Sequence, residues 1–338
     1  MSLPTGELEE VGTASVDFGS EPVEAAIQGR SLGQIAWRRL RQDKVAMGGA
    51  VIVILLALVA ILAKPLIAWY GQQPNTIHNF PPHSLLNDST QMPNGAFGGA
   101  SSTHWLGVTP TLGQDILANL IYGARTSLLI GVLATLLSLL LGVTAGLMAG
   151  YYRGIWDTLL SRMMDLLLSF PTLLFSLALL AIFSQVPTFA GLSGVPLRFA
   201  VIIFVLGFFS FPYIGRIVRG QVLSLREKEF VDAARSLGAS NYRIMSREIL
   251  PNLVGPILVY ATLSIPANIL GEAALSYLGV GVPQGTASWG GMLSDAGQYY
   301  TIDPLDLFAP GLTLFITVLA FNLFGDGLRD ALDPKSSR

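Results

Sequence analysis

Apolar and polar positions along this chain alternate in long blocks, with little residue-by-residue alternation. Six apolar blocks stand out, at roughly 45–63, 126–150, 166–183, 199–215, 253–271 and 307–325. A helix that crosses the hydrocarbon core of a bilayer needs about 20 mainly apolar residues. The pattern therefore predicts an all-α polytopic membrane protein with six transmembrane helices. The fourth block is short, and the fifth contains Pro256 and Pro266, which predict kinks.

The polar blocks between the spans carry the orientation. Arg38, Arg39, Arg41 and Lys44 precede the first span, and Arg153 and Arg162 lie between the second and third. Seven basic residues, from Arg216 to Arg247, lie between the fourth and fifth, and Arg329, Lys335 and Arg338 follow the sixth. The segments 70–120 and 279–306 contain neither Lys nor Arg. By the positive-inside rule, with alternation expected at every loop, both termini and the 216–252 loop are cytoplasmic.

That basic loop has structure of its own. Residues 215–252 read GRIVRGQVLSLREKEFVDAARSLGASNYRIMSREILPN. Phe230, Ala233, Ala234 and Leu237 recur at i, i+3, i+4 and i+7, which predicts a short helix with one apolar stripe. Gly238 follows as a helix stop, because glycine accepts the left-handed conformation without steric cost. Ser240 is placed to cap a second short helix, and Pro251 is expected to end it. Two short helices joined by Gly-Ala-Ser on one loop imply a docking partner.

Composition narrows the chemistry. Apolar residues make up 51% and charged residues 12%, against roughly a quarter charged in soluble domains. There is no cysteine, hence no disulfide and no thiolate metal site. A formal net charge of −2 gives no signal for a nucleic-acid partner. The three histidines, His78, His83 and His104, fall in one Pro/Asn/Gly-rich loop. His78 and His83 could suggest a metal site, but with no carboxylate at ligand spacing and no third histidine nearby a solvated loop is favoured there. No GxxxxGK[ST] phosphate loop and no HExxH occur, and no Ser/His arrangement falls inside a span. Catalysis is thus expected elsewhere. Two carboxylates lie at span edges. Asp165 follows Arg162 at i+3, the spacing of a structural ion pair on one helical face. Glu272 follows Gly271 near the end of the fifth span, where structural pairing is favoured over a proton relay.

The expected organisation is as follows. Residues 1–30 form an acidic tail without apolar period, predicted to be disordered. It lacks the basic start of a cleaved leader, so the first span is expected to remain. Residues 31–69 hold a basic segment and the first span. Leu32, Ile35, Ala36 and Leu40 share one face there, as in a membrane-surface helix, although positive-inside flanking charges alone would also account for it. Residues 70–124 form an external loop. Residues 125–330 are a core of five spans with the docking helix at about 225–250, and 331–338 is a cytoplasmic tail. Trp289, Tyr299 and Tyr300 fit either membrane-interface anchors or a re-entrant, pore-lining or receptor-touching segment. No inverted repeat is visible.

The run Asp232-Ala233-Ala234, Gly238 and Ile249-Leu250-Pro251 resembles the EAA motif of ABC importer permeases, with Asp where that family often has Glu. Further stretches extend the resemblance over about 31–335: AWRRLRQDKVAMGG, LIYGARTSLLIGV, AGYYRGIWDTLLSRMMDLLLSFP, GEAALSYLGVGVP with ASWGGMLSDA, and TVLAFNLFGDGLRDALDP. Together they look like the C-type permease subunit of the dipeptide/oligopeptide/nickel ABC importers. One departure is HWLGVTPTLGQD, where that family usually has Gly-Thr-Asp followed by Gly-Arg-Asp.

The resemblance implies a type I importer permease in the bacterial plasma membrane. It implies a second, B-type permease, two ABC ATPase subunits that bind ATP and Mg, and an extracytoplasmic substrate-binding protein. This chain itself is expected to bind no cofactor. The coupling residues so implied are Glu229, Phe230, Asp232, Ala233, Ala234, Leu237, Gly238, Leu250 and Pro251. Di- and oligopeptides are the default cargo, with nickel chelates, glutathione and oligosaccharides as alternatives and the substrate-binding residues unknown. A non-transport membrane protein, such as an intramembrane enzyme or an assembly scaffold, would need a catalytic constellation or would leave the docking loop without a purpose. An ion-driven secondary transporter would depend on an ion gradient instead of ATP.

Overall fold

A computed structural model describes residues 32–79, 85–95 and 97–333, the side chains of Leu32 and Ile35 aside. The acidic tail 1–30, His83, Lys335 and Arg338 lie outside the described residues, and with them the expectations placed there. Helix α1 (Leu32–Gln42) meets α2 (Lys44–Ile61) at Asp43, whose carboxylate caps α2 by accepting from the Val45 and Ala46 amides. Ala36 and Leu40 of α1 are buried against Ala331 near the end of the last helix. The chain continues through α3 (Ala63–Tyr70) and a folded loop into α4 (Ile116–Tyr152). Then come α5 (Gly154–Ser169), α6 (Thr172–Ser184), a two-residue-per-strand hairpin and α7 (Gly194–Leu225). After α8 (Glu229–Ser236) and α9 (Asn241–Arg243), a π-helical turn over Ile244–Ile249 leads into α10 (Leu250–Tyr277). The chain closes with α11 (Trp289–Ala296) and α12 (Pro304–Leu332).

Among the described residues, five helices are long and apolar enough to cross a membrane, or six if one bent pair forms a single span. That pair, α5 and α6, bends by 85°. The predicted span at 166–183 is therefore not one continuous helix but crosses the break between α5 and α6. Pro171 disfavours the helical conformation at the residue before it, and Phe170 is extended at φ −81° and ψ 138°. Other edges move too. Helix α4 begins at Ile116, inside the segment assigned to the 70–124 loop, and α12 runs to Leu332. Helix α10 continues through Pro256 and Pro266.

The centre of the bundle is the seam between α4 and α7. Gly142, Gly146 and Gly150 recur every four residues and so share one face of α4. A Cβ on Gly142 would meet the Phe211 carbonyl oxygen at 2.7 Å. One on Gly146 would meet Gly215 O at 2.6 Å, and one on Gly150 Arg219 O at 2.9 Å. Residue numbers rise together on the two helices, so they run parallel. Small residues permit this approach, and in lipid, dispersion across such a contact replaces the hydrophobic drive.

At the end of the bundle away from α8, the two long loops fold onto the helices. Asp115 is fully buried. One carboxylate oxygen accepts from the Ala118 amide at 2.7 Å and caps α4, and the other meets Tyr70 Oη at 2.9 Å and His104 Nδ1 at 2.8 Å. His78 stacks edge-on to His104 at 5.6 Å, and burial together with that neighbouring ring holds its imidazole below its ordinary pKa. The expectation of a merely solvated loop is corrected by these contacts. Among the described residues no group of three metal-ligating side chains forms.

Trp289 is also fully buried and donates from Nε1 to the Leu120 carbonyl at 3.1 Å, so it is a core residue and not an interface anchor. Glu272 is fully buried beside it. Its two oxygens accept from Ser127 and Ser276 hydroxyls, each at 2.7 Å, tying α4 to α10. Arg198, at the start of α7, donates to the Ser184 carbonyl at 2.8 Å. It lies at the end of α7 opposite Arg216 and Arg219, an exception to the alternation of basic loops.

Gly146→Leu should lower the thermal midpoint of the purified protein, because overpacking a tight core costs about 1–3 kcal/mol. Gly220→Leu on α7, where a Cβ meets nothing within 4 Å, is the control. Equal midpoints for the two variants would contradict the seam.

Candidate functional site

The segment between α7 and α10 is built around a helix of only eight residues, too short to be stable alone. It survives by anchoring. Val231 of α8 is fully buried in a cluster with Tyr151 of α4, Val218 and Val222 of α7, Ile244 and Ile249 of the π-turn and Leu253 of α10. Ala234 packs against the same cluster one turn later.

The predicted stripe is thus split by the structure. Of Phe230, Ala233, Ala234 and Leu237, only Ala234 faces the cluster, and Val231 supplies the main anchor. Phe230 is 39% exposed, Leu237 is 87% exposed and Ala233 lies in the open as well. The helix presents Phe230, Ala233 and Leu237 outward because α7 and the π-turn occupy the side where Val231 sits. Tyr242, 78% exposed, extends the outward apolar surface beyond the turn. Glu229 and Asp232 occupy the first turn, where carboxylates favour the positive end of the helix dipole, and Arg235 pairs with Asp232 at 3.0 Å.

The stop at Gly238 is a complete Schellman cap. The Gly238 amide donates to the Arg235 carbonyl at 3.0 Å and the Ala239 amide to Ala234 at 3.1 Å, with Gly238 at φ +77°. Ser240 Oγ then accepts from the Arg243 amide at 3.3 Å and starts α9. Pro251 does not end the second helix, contrary to expectation. The Leu250 amide reaches back to Met245, five residues earlier, and this wider turn accommodates the missing proline N–H. From Asn241 to Tyr277 the chain is one helical rod. Leu250 is half-buried and Pro251 exposed at the start of α10.

Polar contacts fasten the same region. Arg226 donates to the Tyr151 carbonyl at 2.5 Å, Tyr151 Oη bonds Asn241 Oδ1 at 2.9 Å, and Arg153 pairs with Glu227 at 2.6 Å. A groove of about 480 Å³ beside it holds Asp157, Arg162, Asp165, Arg216 and Arg219. Arg219 grips Asp157 with two nitrogens, at 2.5 and 2.9 Å, and joins α5 to α7. The expected Arg162–Asp165 pair is loose, at 3.7 Å with an exposed Arg162, because Arg216 of α7 takes the Asp165 carboxylate.

Sequence reasoning missed Val231, Tyr151 and Arg226. Val231 carries a signal in hindsight, since it and Ala234 sit at i and i+3 and so share one face of the helix. Tyr151 and Arg226 belong to different segments, and no periodicity links them.

Residues 142–338 match the family described as binding-protein-dependent transport system inner membrane component. Residues 31–82 match the N-terminal transmembrane domain of oligopeptide transport permease C. The chain is 41% identical over 299 residues to the glutathione transport system permease protein GsiD of Escherichia coli O6:K15:H31 (strain 536 / UPEC), covering 88% of this chain and 89% of that one. GsiD of Shigella boydii serotype 4 (strain Sb227) matches to the same extent. Among solved structures, an inward-facing MetNI methionine ABC transporter chain aligns with a TM-score of 0.51 at 18% identity. It covers 64% of this chain and 98% of that one, a likeness of fold. With a family match over more than half its length and two relatives 41% identical across 88% of it, this chain belongs to the binding-protein-dependent transport system inner membrane components, as a C-type permease of an ABC importer.

Proposed function

We propose that this permease forms half of the translocation pathway of an ATP-driven importer of short peptides and that α8, with the turn after it, is its coupling helix. One observation carries the reading. An eight-residue helix has Val231 fully buried in its own chain while Leu237 stands 87% exposed on its outer side. A helix anchored beneath and apolar above is suited to receive a cleft in another subunit. The partners are two ABC ATPases that bind ATP and Mg, a B-type permease and an extracytoplasmic substrate-binding protein. Both termini and α8 lie on the cytoplasmic side, where basic residues concentrate. Glutathione, a tripeptide carried by the GsiD system, is the first candidate cargo.

Force applied to α8 has a defined route. Closure of the ATPases on nucleotide displaces α8, and the cluster around Val231 passes that displacement to α4, α7 and α10 together. The chain itself needs no catalytic group. Its work is to turn motion at one end into opening and closing at the other.

Three experiments test the reading. Leu237→Asp should assemble in the membrane yet fail to copurify with the ATPases, because an unpaired charge buried in the contact costs several kcal/mol. Normal copurification would exclude α8 as the contact. Gly238→Val forces a β-branched residue into φ +77°, a conformation that costs a residue with a Cβ about 1–2 kcal/mol. ATP hydrolysis in that complex should lose its stimulation by loaded binding protein, and full stimulation and uptake would contradict the role of the cap. Single cysteines replace Arg235, Asn87 and Gln284 in turn, since the natural chain has none. An impermeant thiol reagent should label positions 87 and 284 in intact cells and leave 235 unlabelled; labelling of 235 would reverse the topology.

A further inference from the structure

At the end of the bundle opposite α8, the two long loops and the starts of α4 and α7 line an open cavity of about 370 Å³. Its walls combine Val195 and Phe199 of α7 with Thr126, Thr286 and the ring of Tyr122. The charged side chain among its lining residues is Arg125, with no Asp, Glu or Lys beside it. Near α8, Arg153 pairs with Glu227, Arg216 with Asp165, Arg219 with Asp157 and Arg235 with Asp232. Arg198, on the same side as Arg125, is committed to the Ser184 carbonyl. Arg125 enters no ion pair among the described residues, and its guanidinium carbon stands 5.8 Å from the centre of the Tyr122 ring.

We propose that this cavity is a carboxylate-binding subsite, in which Arg125 takes the C-terminal carboxylate of the transported peptide. The proposal rests on the importer reading and adds the chemical class recognised at the mouth of the path. A half-buried guanidinium presents a planar fork of donors that matches a carboxylate with two parallel hydrogen bonds. Thr126 and Thr286 line the same space, and Val195 and Phe199 offer apolar surface to the side chain adjoining the carboxylate. Few polar groups set in apolar walls is the usual make-up of a small-molecule site.

The rim is preset. Asn75 is held at φ 59°, with its amide donating at 2.8 Å to Oδ1 of the buried Asn119, whose own side-chain nitrogen donates to Gln114 at 3.1 Å. On the other side, the Thr286 amide closes a turn onto the Pro283 carbonyl at 3.1 Å, beside Gly285 at φ +81°. A rim fixed before the ligand arrives loses less freedom on binding.

The test uses the whole importer in lipid nanodiscs without its binding protein, and measures equilibrium binding of radiolabelled trialanine, glutathione and trialaninamide. Saturable binding of a carboxylate probe is expected, with affinity about tenfold lower in Arg125→Gln and lower in Arg125→Lys, since a hydrogen bond to a charged group is worth about 1.5–3 kcal/mol. Trialaninamide should bind the natural protein no better than trialanine binds Arg125→Gln. Equal affinity for acid and amide would overturn the subsite, as would unchanged binding in Arg125→Gln or no saturable binding of either carboxylate probe. A second measurement, the concentration of binding protein giving half-maximal ATP hydrolysis, should not change in Arg125→Gln. A rise there with unchanged probe binding would assign Arg125 to the receptor contact and refute the proposal. Copurification of the ATPases is read separately, so failure of the subsite and failure of the importer reading give different results.

Discussion

The glycine seam between α4 and α7 sets the spacing on which the other contacts depend. With Gly142, Gly146 and Gly150 against the α7 backbone, the two helices lie close enough for α7 to reach Tyr151 at one end. At the other end, Gly207 of α7 meets the α4 backbone near Ala134. Widening the seam would open the cluster around Val231, because its members come from both helices and from the π-turn. The ion pairs from α5 to Arg216 and Arg219 of α7 fasten the bent pair to that same unit. In a bilayer, where apolar surface gains little by leaving lipid, close packing and satisfied polar groups carry the stability.

Polar satisfaction is concentrated where backbone regularity ends. Asp115 serves one helix start, one tyrosine and one histidine with a single buried carboxylate. Glu272 does comparable work inside the bundle with serine hydroxyls. A buried carboxylate is tolerated when its oxygens find donors, and each of these joins segments far apart in sequence. The loops at this end are consequently part of the folded body.

Much of the fold was legible because membrane helices announce themselves by length and hydropathy. The helix stop at Gly238 and the start at Ser240 were legible for a different reason, since cap chemistry is local. Four features were not. The bend at Phe170–Pro171 splits a continuous apolar run, and hydropathy does not register direction. The π-turn before Pro251 replaces a helix end with a wider turn, an outcome that a rule about proline alone does not foresee. The anchoring of α8 by Val231 depends on what lies beneath it, and an apolar stripe read on a bare helix cannot say which side its own chain will cover. The pairing of Asp165 with Arg216 has the same origin, for the nearer Arg162 in sequence is farther in space.

Helix α4 spans 37 residues without interruption. Tyr151, in the cluster beneath α8, and Arg125, in the cavity at the opposite end, lie on this one rod. Their separation of 26 residues corresponds to about 39 Å at the rise of an α-helix. Such a rod acts as a lever arm. A tilt of about 10° pivoting near Tyr151 would carry Arg125 sideways by about 7 Å, more than the pitch of a helical turn. Small angular changes at the short helix are thus geometrically amplified at the cavity, and the parallel α7, locked along the glycine seam, stiffens the arm against bending.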